Sequence, residues 1–332
     1  MSQILKEKLM DQDIYSVSIV GMGKNTGKTV TLNYLISLLD PLTLGVTSIG
    51  IDGEKIDNLT FTPKPSISLK KGTVVATGEK TLKEFTSSYE ILEGTGIFNP
   101  LGEIVMVRLQ EDGEVLLGGP ERTTDLKKII STFKKYGCGK VLVDGAIDRR
   151  AAASPYVTDG MVFVTGAAFS RDFTRLVGET VHRLNMLTLP QTSISLERED
   201  KIQLISGEEI NFLPIKSALL ADQLIGYFKG DRENLLYIPG ALTDSFLQKI
   251  VPWIKKGYKI GIIVKDGTKV FLSPKAYGQF TDSGGKIEVL KSCKPLALGV
   301  NPLSEEGYGF DSTALVNSLQ QLVPIPVFDP LK

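Results

Sequence analysis

The sequence predicts an α/β fold: a mostly parallel sheet between two helical layers, a three-layer sandwich. A β-rich insertion at about 60–120 and a second, smaller α/β domain complete it. Three observations lead there. "IYSVSIV" (14–20) is β-branched and aromatic and runs through a glycine loop into "TVTLNYLISLLD" (29–40), an amphipathic segment. "KVLVDGA" (140–146) and "GMVFVTGA" (160–167) are fully apolar, as parallel strands covered on both faces should be. The length, 332 residues, exceeds one typical domain.

Each element follows from its pattern. Leu32, Leu35, Ile36 and Leu39 share one helical face, and Pro41 stops that helix. "LTLGVTSIG" (42–50) reads as the next strand. "SISLKKGTVVAT", "GEIVMVRL" and "GEVLLGG" are short β-like runs between Gly, Lys-Gly and Asp-Gly turns, and predict an antiparallel extension of the sheet. Leu126, Ile129, Ile130 and Phe133 predict a helix over 123–137 with Gly137 at its end. Phe173, Leu176, Val177, Val181 and Leu184 form another helical stripe. Counted from Phe173, His182 falls roughly opposite that stripe and is expected to face water.

The polar stretch "SLEREDKIQ" marks a boundary. The expected division is 1–190 for the first domain, 191–230 for a connecting segment and 231–332 for the smaller domain. In the last, "NLLYIPGALTDSFLQKIV" predicts a strand and a helix. "KIGIIVKDGTKVFLS" predicts two strands about the Asp266-Gly267 turn. "PLALGVNP" and "STALVNSLQQLV" add a further strand and helix.

Composition removes several function classes. Thirty-eight basic residues balance 38 acidic ones, so nothing favours bulk attraction to nucleic acid or an anionic membrane. Two isolated cysteines, Cys138 and Cys293, argue against a disulfide framework or a cysteine zinc site and are expected in the core. The start "MSQILKEKLMDQD" has no apolar core of signal-peptide length, and the expected location is cytoplasmic. His182 is the sole histidine, which excludes a multi-histidine metal site. No Gly-x-Gly-x-x-Gly follows a strand, so the dinucleotide fingerprint is missing.

The chemistry concentrates in "SIVGMGKNTGKTV" (18–30). Gly27-Lys28-Thr29 between a strand and a helix is the context of a phosphate-binding loop, the P-loop of P-loop NTPases. Backbone N–H groups of Gly21, Gly23, Lys24, Asn25, Thr26, Gly27, Lys28, Thr29 and Val30 would surround the phosphates at a helix N-terminus. Lys28 would reach the β- and γ-phosphates and Thr29 would hold Mg²⁺. The first glycine is displaced: the usual spacing would put it at Met22, whereas Gly21 lies one residue earlier.

Asp144, after three apolar residues of a neighbouring strand, suits the acid that orients Mg²⁺ or its water. Asp52 in "SIGIDGE" is a second candidate for catalysis and the metal, although Asp-Gly is also a common turn pair. Arg149 and Arg150 have phosphate-binding chemistry, but arginines after a strand are commonly solvated. The strand ending "FVTGAAFSRD" lacks the Asn-Lys-x-Asp of guanine recognition, so ATP is the expected nucleotide and GTP stays open.

Gly21, five residues, then Gly27-Lys28-Thr29 resembles the entry of dethiobiotin synthetases and cobyrinate amidases. These belong to the P-loop class that also holds MinD-type ATPases and the nitrogenase iron protein. MinD-type members carry a lysine early in the loop that reaches across a dimer. Lys24 stands one position later than that place, and a homodimer is the assembly it would imply. Asp52 follows the second strand, where MinD-like ATPases place a catalytic or metal-linked aspartate.

Beyond the loop, "VDGAIDRRAAASPYVTDGMVFVTGAA" and "LGVNPLSEEGYGFDSTALV" resemble the P-loop subunits of lysine 5,6-aminomutase reactivases, encoded with lysine-fermentation enzymes. That resemblance implies an ATP-driven reactivating chaperone that removes damaged cobalamin from a B12-dependent aminomutase together with a partner subunit. Two other classes stay open: an ATP-dependent small-molecule ligase or kinase resembling dethiobiotin synthetase, and a nucleotide-sensing module. A ligase should show a polar substrate cluster near the phosphates, and none stands out in the sequence.

Overall fold

The computed structural model describes residues 2–50, 66–145, 150–196, 198–207, 209–213, 224–230 and 232–332. The chain divides into two units, Met1–Val181 with Lys294–Lys332, and His182–Cys293.

The first unit opens with α1 (Ser2–Met10), β1 (Ser16–Gly21), α2 (Lys28–Leu38) and β2 (Leu44–Ile49). The β-rich stretch follows as β3 (Ile67–Leu69), β4 (Val74–Gly78), β5 (Tyr89–Asn99), β6 (Gly102–Leu109) and β7 (Gly113–Val115). Next come α3 (Thr123–Lys135), β8 (Lys140–Gly145), β9 (Gly160–Gly166) and α4 (Phe173–Leu187), which continues past Val181. After the second unit the chain adds β17 (Pro295–Asn301), α7 (Ser312–Gln320) and β18 (Val327–Phe328).

One nine-stranded sheet runs in the order β18-β17-β9-β1-β8-β2-β4-β6-β5. Every pairing from β18 to β4 is parallel; β6 and β5 join antiparallel. Alternation along the strands explains the layers. On β8, Leu142 enters the core with Leu32, Leu35 and Ile36 of α2 and Leu5 and Leu9 of α1. Val141 and Val143 enter the opposite core with Leu126, Ile129 and Phe133 of α3. Phe133 needs a bare backbone in front of it: a Cβ on Gly45 of β2 would lie 2.5 Å from its ring. Lys140, at the start of β8, is buried and donates to the carbonyls of Asp11 (2.9 Å) and Ile14, tying the end of α1 to the sheet.

The second unit holds β10 (Gln203–Ser206), β11 (Glu209–Phe212), β12 (Glu233–Ile238), β13 (Leu242–Thr243) and α5 (Asp244–Lys255). It ends with β14 (Lys259–Val264), β15 (Val270–Phe271), α6 (Pro274–Asp282) and β16 (Lys286–Val289). Its five-stranded sheet runs β11-β10-β12-β14-β16, with β12, β14 and β16 parallel. Leu236, Ile238, Ile262, Val264, Ile287 and Val289 share a core with Phe246, Ile250 and Phe280 of the two helices.

Three expectations are corrected. Residues 294–332 belong to the first unit, because β17 pairs with β9 rather than with strands of the smaller one. The segment 191–230 is no mere connection, since β10 and β11 extend the second sheet. Residues 259–271 form the two expected strands, but not as a hairpin: β14 lies between β12 and β16, while β15 pairs with β13. Asp266 is buried and caps a short helical turn by accepting from Thr268 N at 2.9 Å, which diverts the chain where a tight β-turn was expected. The antiparallel extension by the β-rich stretch is observed.

Candidate functional site

The glycine loop connects β1, buried along its whole length, to the first turn of α2. Met22 N donates to Val164 O of β9 at 2.9 Å, which sets the entry. The Met22 side chain is turned toward β9 and α4, where Sδ accepts from the buried hydroxyls of Thr165 (3.2 Å) and Thr180 (3.1 Å). The tight position is Gly21. A Cβ there would fall 2.6 Å from Thr26 Oγ1 and 3.0 Å from Lys28 Cγ. This accounts for the shifted spacing: the bare backbone is required at Gly21, and Met22 anchors the loop to the neighbouring strand and helix.

Inside the loop, Thr26 Oγ1 donates to Gly23 O at 3.0 Å and Lys28 Nζ donates to the same carbonyl at 3.3 Å. Asn25 (φ 57°) and Gly27 (φ 97°) are both left-handed, the kind of reversal that turns successive N–H groups toward one concave side. Gly27 precedes α2, and no side chain caps this helix start. Lys28 is 8 % exposed; Thr29, Val30 and Lys24 are half-buried.

Gly27 is constrained twice, by its positive φ and by Asn301, whose Cβ lies 2.8 Å from where a Gly27 Cβ would sit. Gly27→Ala is expected to destabilise the first unit by about 1–3 kcal/mol. A lowered thermal midpoint checks this; an unchanged one contradicts the loop geometry.

Asp144, half-buried on β8, is in register with Ile19 of β1, two residues before that strand ends at Gly21, and with Ser48 of β2. Asp144 and the loop therefore lie at the carboxyl end of adjacent parallel strands. After β8 the chain crosses β1 to form β9 on its other side, a reversal of strand order of the kind beside which open α/β sheets bind ligands. Asp52 and Arg149 lie outside the described residues. Among the described residues no group of three or more His, Cys, Asp or Glu side chains comes together as a metal site.

Asn301 escaped the sequence reading. It ends β17, accepts from Leu303 N at 3.2 Å, and its backbone oxygen lies 2.5 Å from where a Cβ on Gly166 would sit. The ends of β9 and β17 thus close on Gly27. The available signal was Asn-Pro after an apolar strand, which the expected domain division assigned elsewhere.

Other candidates fall away. His182 is half-buried rather than water-facing: its Nε2 is 2.8 Å from Leu272 O and its ring meets Tyr277 edge-on at 6.0 Å. Both cysteines are buried as expected, and burial pushes the Cys138 thiol up to about 11 and the Cys293 thiol up to about 12. Thiolate is therefore negligible at neutral pH. No helix among the described residues is long and apolar enough to cross a membrane.

No protein-family model matches the chain, and no curated protein matches its sequence.

Proposed function

We propose that this chain is a P-loop protein that binds ATP with Mg²⁺ and hydrolyses it. The observation that carries the reading is the loop between β1 and α2, with Gly27 left-handed and Lys28 folded back onto Gly23 O. An uncapped helix start beside a buried ammonium fits a phosphate chain, because both favour negative charge. The Thr29 hydroxyl and the Asp144 carboxylate are hard oxygen donors of the kind Mg²⁺ takes, with waters completing its shell. Thr29 would hold the ion directly and Asp144 would orient its water. When bound, the ion neutralises charge on the β- and γ-phosphate oxygens. Lys28 would hold those oxygens, and the loop N–H groups would exclude water from one side.

The finer reading rests on the resemblance of 143–168 and 298–316: a cytoplasmic reactivating chaperone for a cobalamin-dependent aminomutase, acting with a partner subunit. Its physical basis is that a γ-phosphate held by a loop orders neighbouring segments until hydrolysis releases them. The test is recovery of an aminomutase inactivated with cyanocobalamin. Recovery is expected only with this protein, its partner subunit, ATP, Mg²⁺ and fresh adenosylcobalamin together. Equal recovery without this protein, or phosphorylation of a small metabolite, would replace the chaperone by the ligase or kinase reading.

A further inference from the structure

The segment 302–310 is a small hairpin closed on itself. Phe310 N donates to Pro302 O at 2.9 Å, Ser304 N to Tyr308 O at 2.9 Å, and Gly307 N to Ser304 O at 3.1 Å. Leu303 and Gly309 form an antiparallel bridge between its arms. Its base is apolar and fixed: Pro302 is buried, and the Phe310 ring meets Phe173 edge-on at 5.4 Å.

Its tip is polar, exposed and stitched to the mouth of the glycine loop. Glu305 Oε2 accepts from Asn25 Nδ2 at 2.6 Å. Glu306 pairs with Arg171 at 2.7 Å, Arg171 lies 4.7 Å over the Tyr308 ring, and Tyr308 Oη donates to Ala167 O at 2.8 Å. Both Arg171 and Glu306 are more than half exposed, so the pair is individually weak. The hairpin thus has a buried base and a tip held by polar contacts among largely exposed groups, so the tip can loosen while the base stays packed.

The decisive feature is the sign of the charge at Asn25. The same rim that the Glu305 carboxylate occupies belongs to the loop whose chemistry suits phosphates. Two anionic groups at one small donor set repel each other, and the more highly charged one displaces the other. We propose that 302–310 is a carboxylate-latched flap over the glycine loop, held by Glu305 on Asn25 and released by an arriving nucleoside triphosphate. The proposal rests on the phosphate-binding reading of the loop.

The test uses the full chain as wild type, Glu305→Gln and Lys28→Ala. A fluorescent ATP analogue with Mg²⁺ is titrated at low and high salt, and hydrogen exchange of 302–310 is followed with and without ATP. Glu305→Gln is expected to bind roughly two- to fivefold tighter at low salt, with the gain shrinking as salt screens the carboxylate. Wild-type flap amides should exchange faster with ATP than without it. The latch is overturned if wild type binds while Glu305→Gln binds equally or more weakly, or if ATP leaves flap exchange unchanged. Should neither wild type nor Lys28→Ala bind, the phosphate-binding reading fails and the latch with it. That outcome differs from failure of the latch alone, in which wild type still binds.

Discussion

Lys28→Ala is expected to weaken Mg-ATP binding at least about tenfold, or about 1.4 kcal/mol. The argument is electrostatic and local. Lys28 is nearly buried at the first position of α2, its ammonium bonded to Gly23 O and its stem packed where a Gly21 Cβ would otherwise sit. Burial removes part of the water that would screen its attraction for phosphate, so that attraction is stronger than at an exposed site. Alanine removes that charge but leaves the helix start, the left-handed Gly27 and the Thr26–Gly23 bond in place. The loop should therefore survive while affinity falls. Lys28→Met, which keeps the stem, separates charge from packing and should lose affinity to the same degree. Superimposable titrations of mutant and wild type would contradict the assignment.

Asp144→Asn is expected to lower the rate of ATP hydrolysis about 100-fold or more while changing nucleotide affinity by less than about threefold. The carboxylate sits on β8, beside the strand that ends at the loop, and the role proposed for it is to orient an ion or water rather than to hold the nucleotide. The amide keeps the shape and most of the hydrogen bonding but loses the negative charge that a Mg²⁺-linked acid needs. Phosphate release and nucleotide titration on the same preparations separate the two effects. A mutant that hydrolyses at the wild-type rate removes Asp144 from the chemistry.

The parts of the fold with strong local patterns were legible in the sequence. The stripes Leu32–Leu35–Ile36 and Leu126–Ile129–Ile130–Phe133 are buried helix faces, and "KVLVDG" and "GMVFVTG" are central parallel strands. β5 went unread because its length is broken by Gly94 and Gly96 and its side chains are mostly exposed, leaving no clear apolar alternation. The domain boundaries were misjudged for a topological reason. "PLALGVN" looks locally like any buried parallel strand, and only pairing with β9, more than 120 residues earlier, assigns it to the first sheet. Local pattern carries no such long-range information.

The candidate site divides the same way. The stretch 21–30 was readable because a strand, a glycine turn and a helix follow one another in sequence, and Asp144 because it follows three apolar residues of a buried strand. Asn301 and the 302–310 hairpin reach the loop through tertiary packing, so their proximity to Gly27 and Asn25 had no local signature. His182 misled because its orientation was counted from one helix alone, whereas Leu272 O and Tyr277 come from residues far along the chain.

The most direct test of the central claim is hydrogen exchange of the full chain with and without Mg-ATP, resolved to peptides. Binding at the glycine loop predicts slowed exchange concentrated in 21–31, where the loop and the first turn of α2 would donate to phosphate. Exchange in the second unit's β12 and β14 should stay as it was. Protection that leaves 21–31 unchanged, or that appears only in the second unit, would contradict the account.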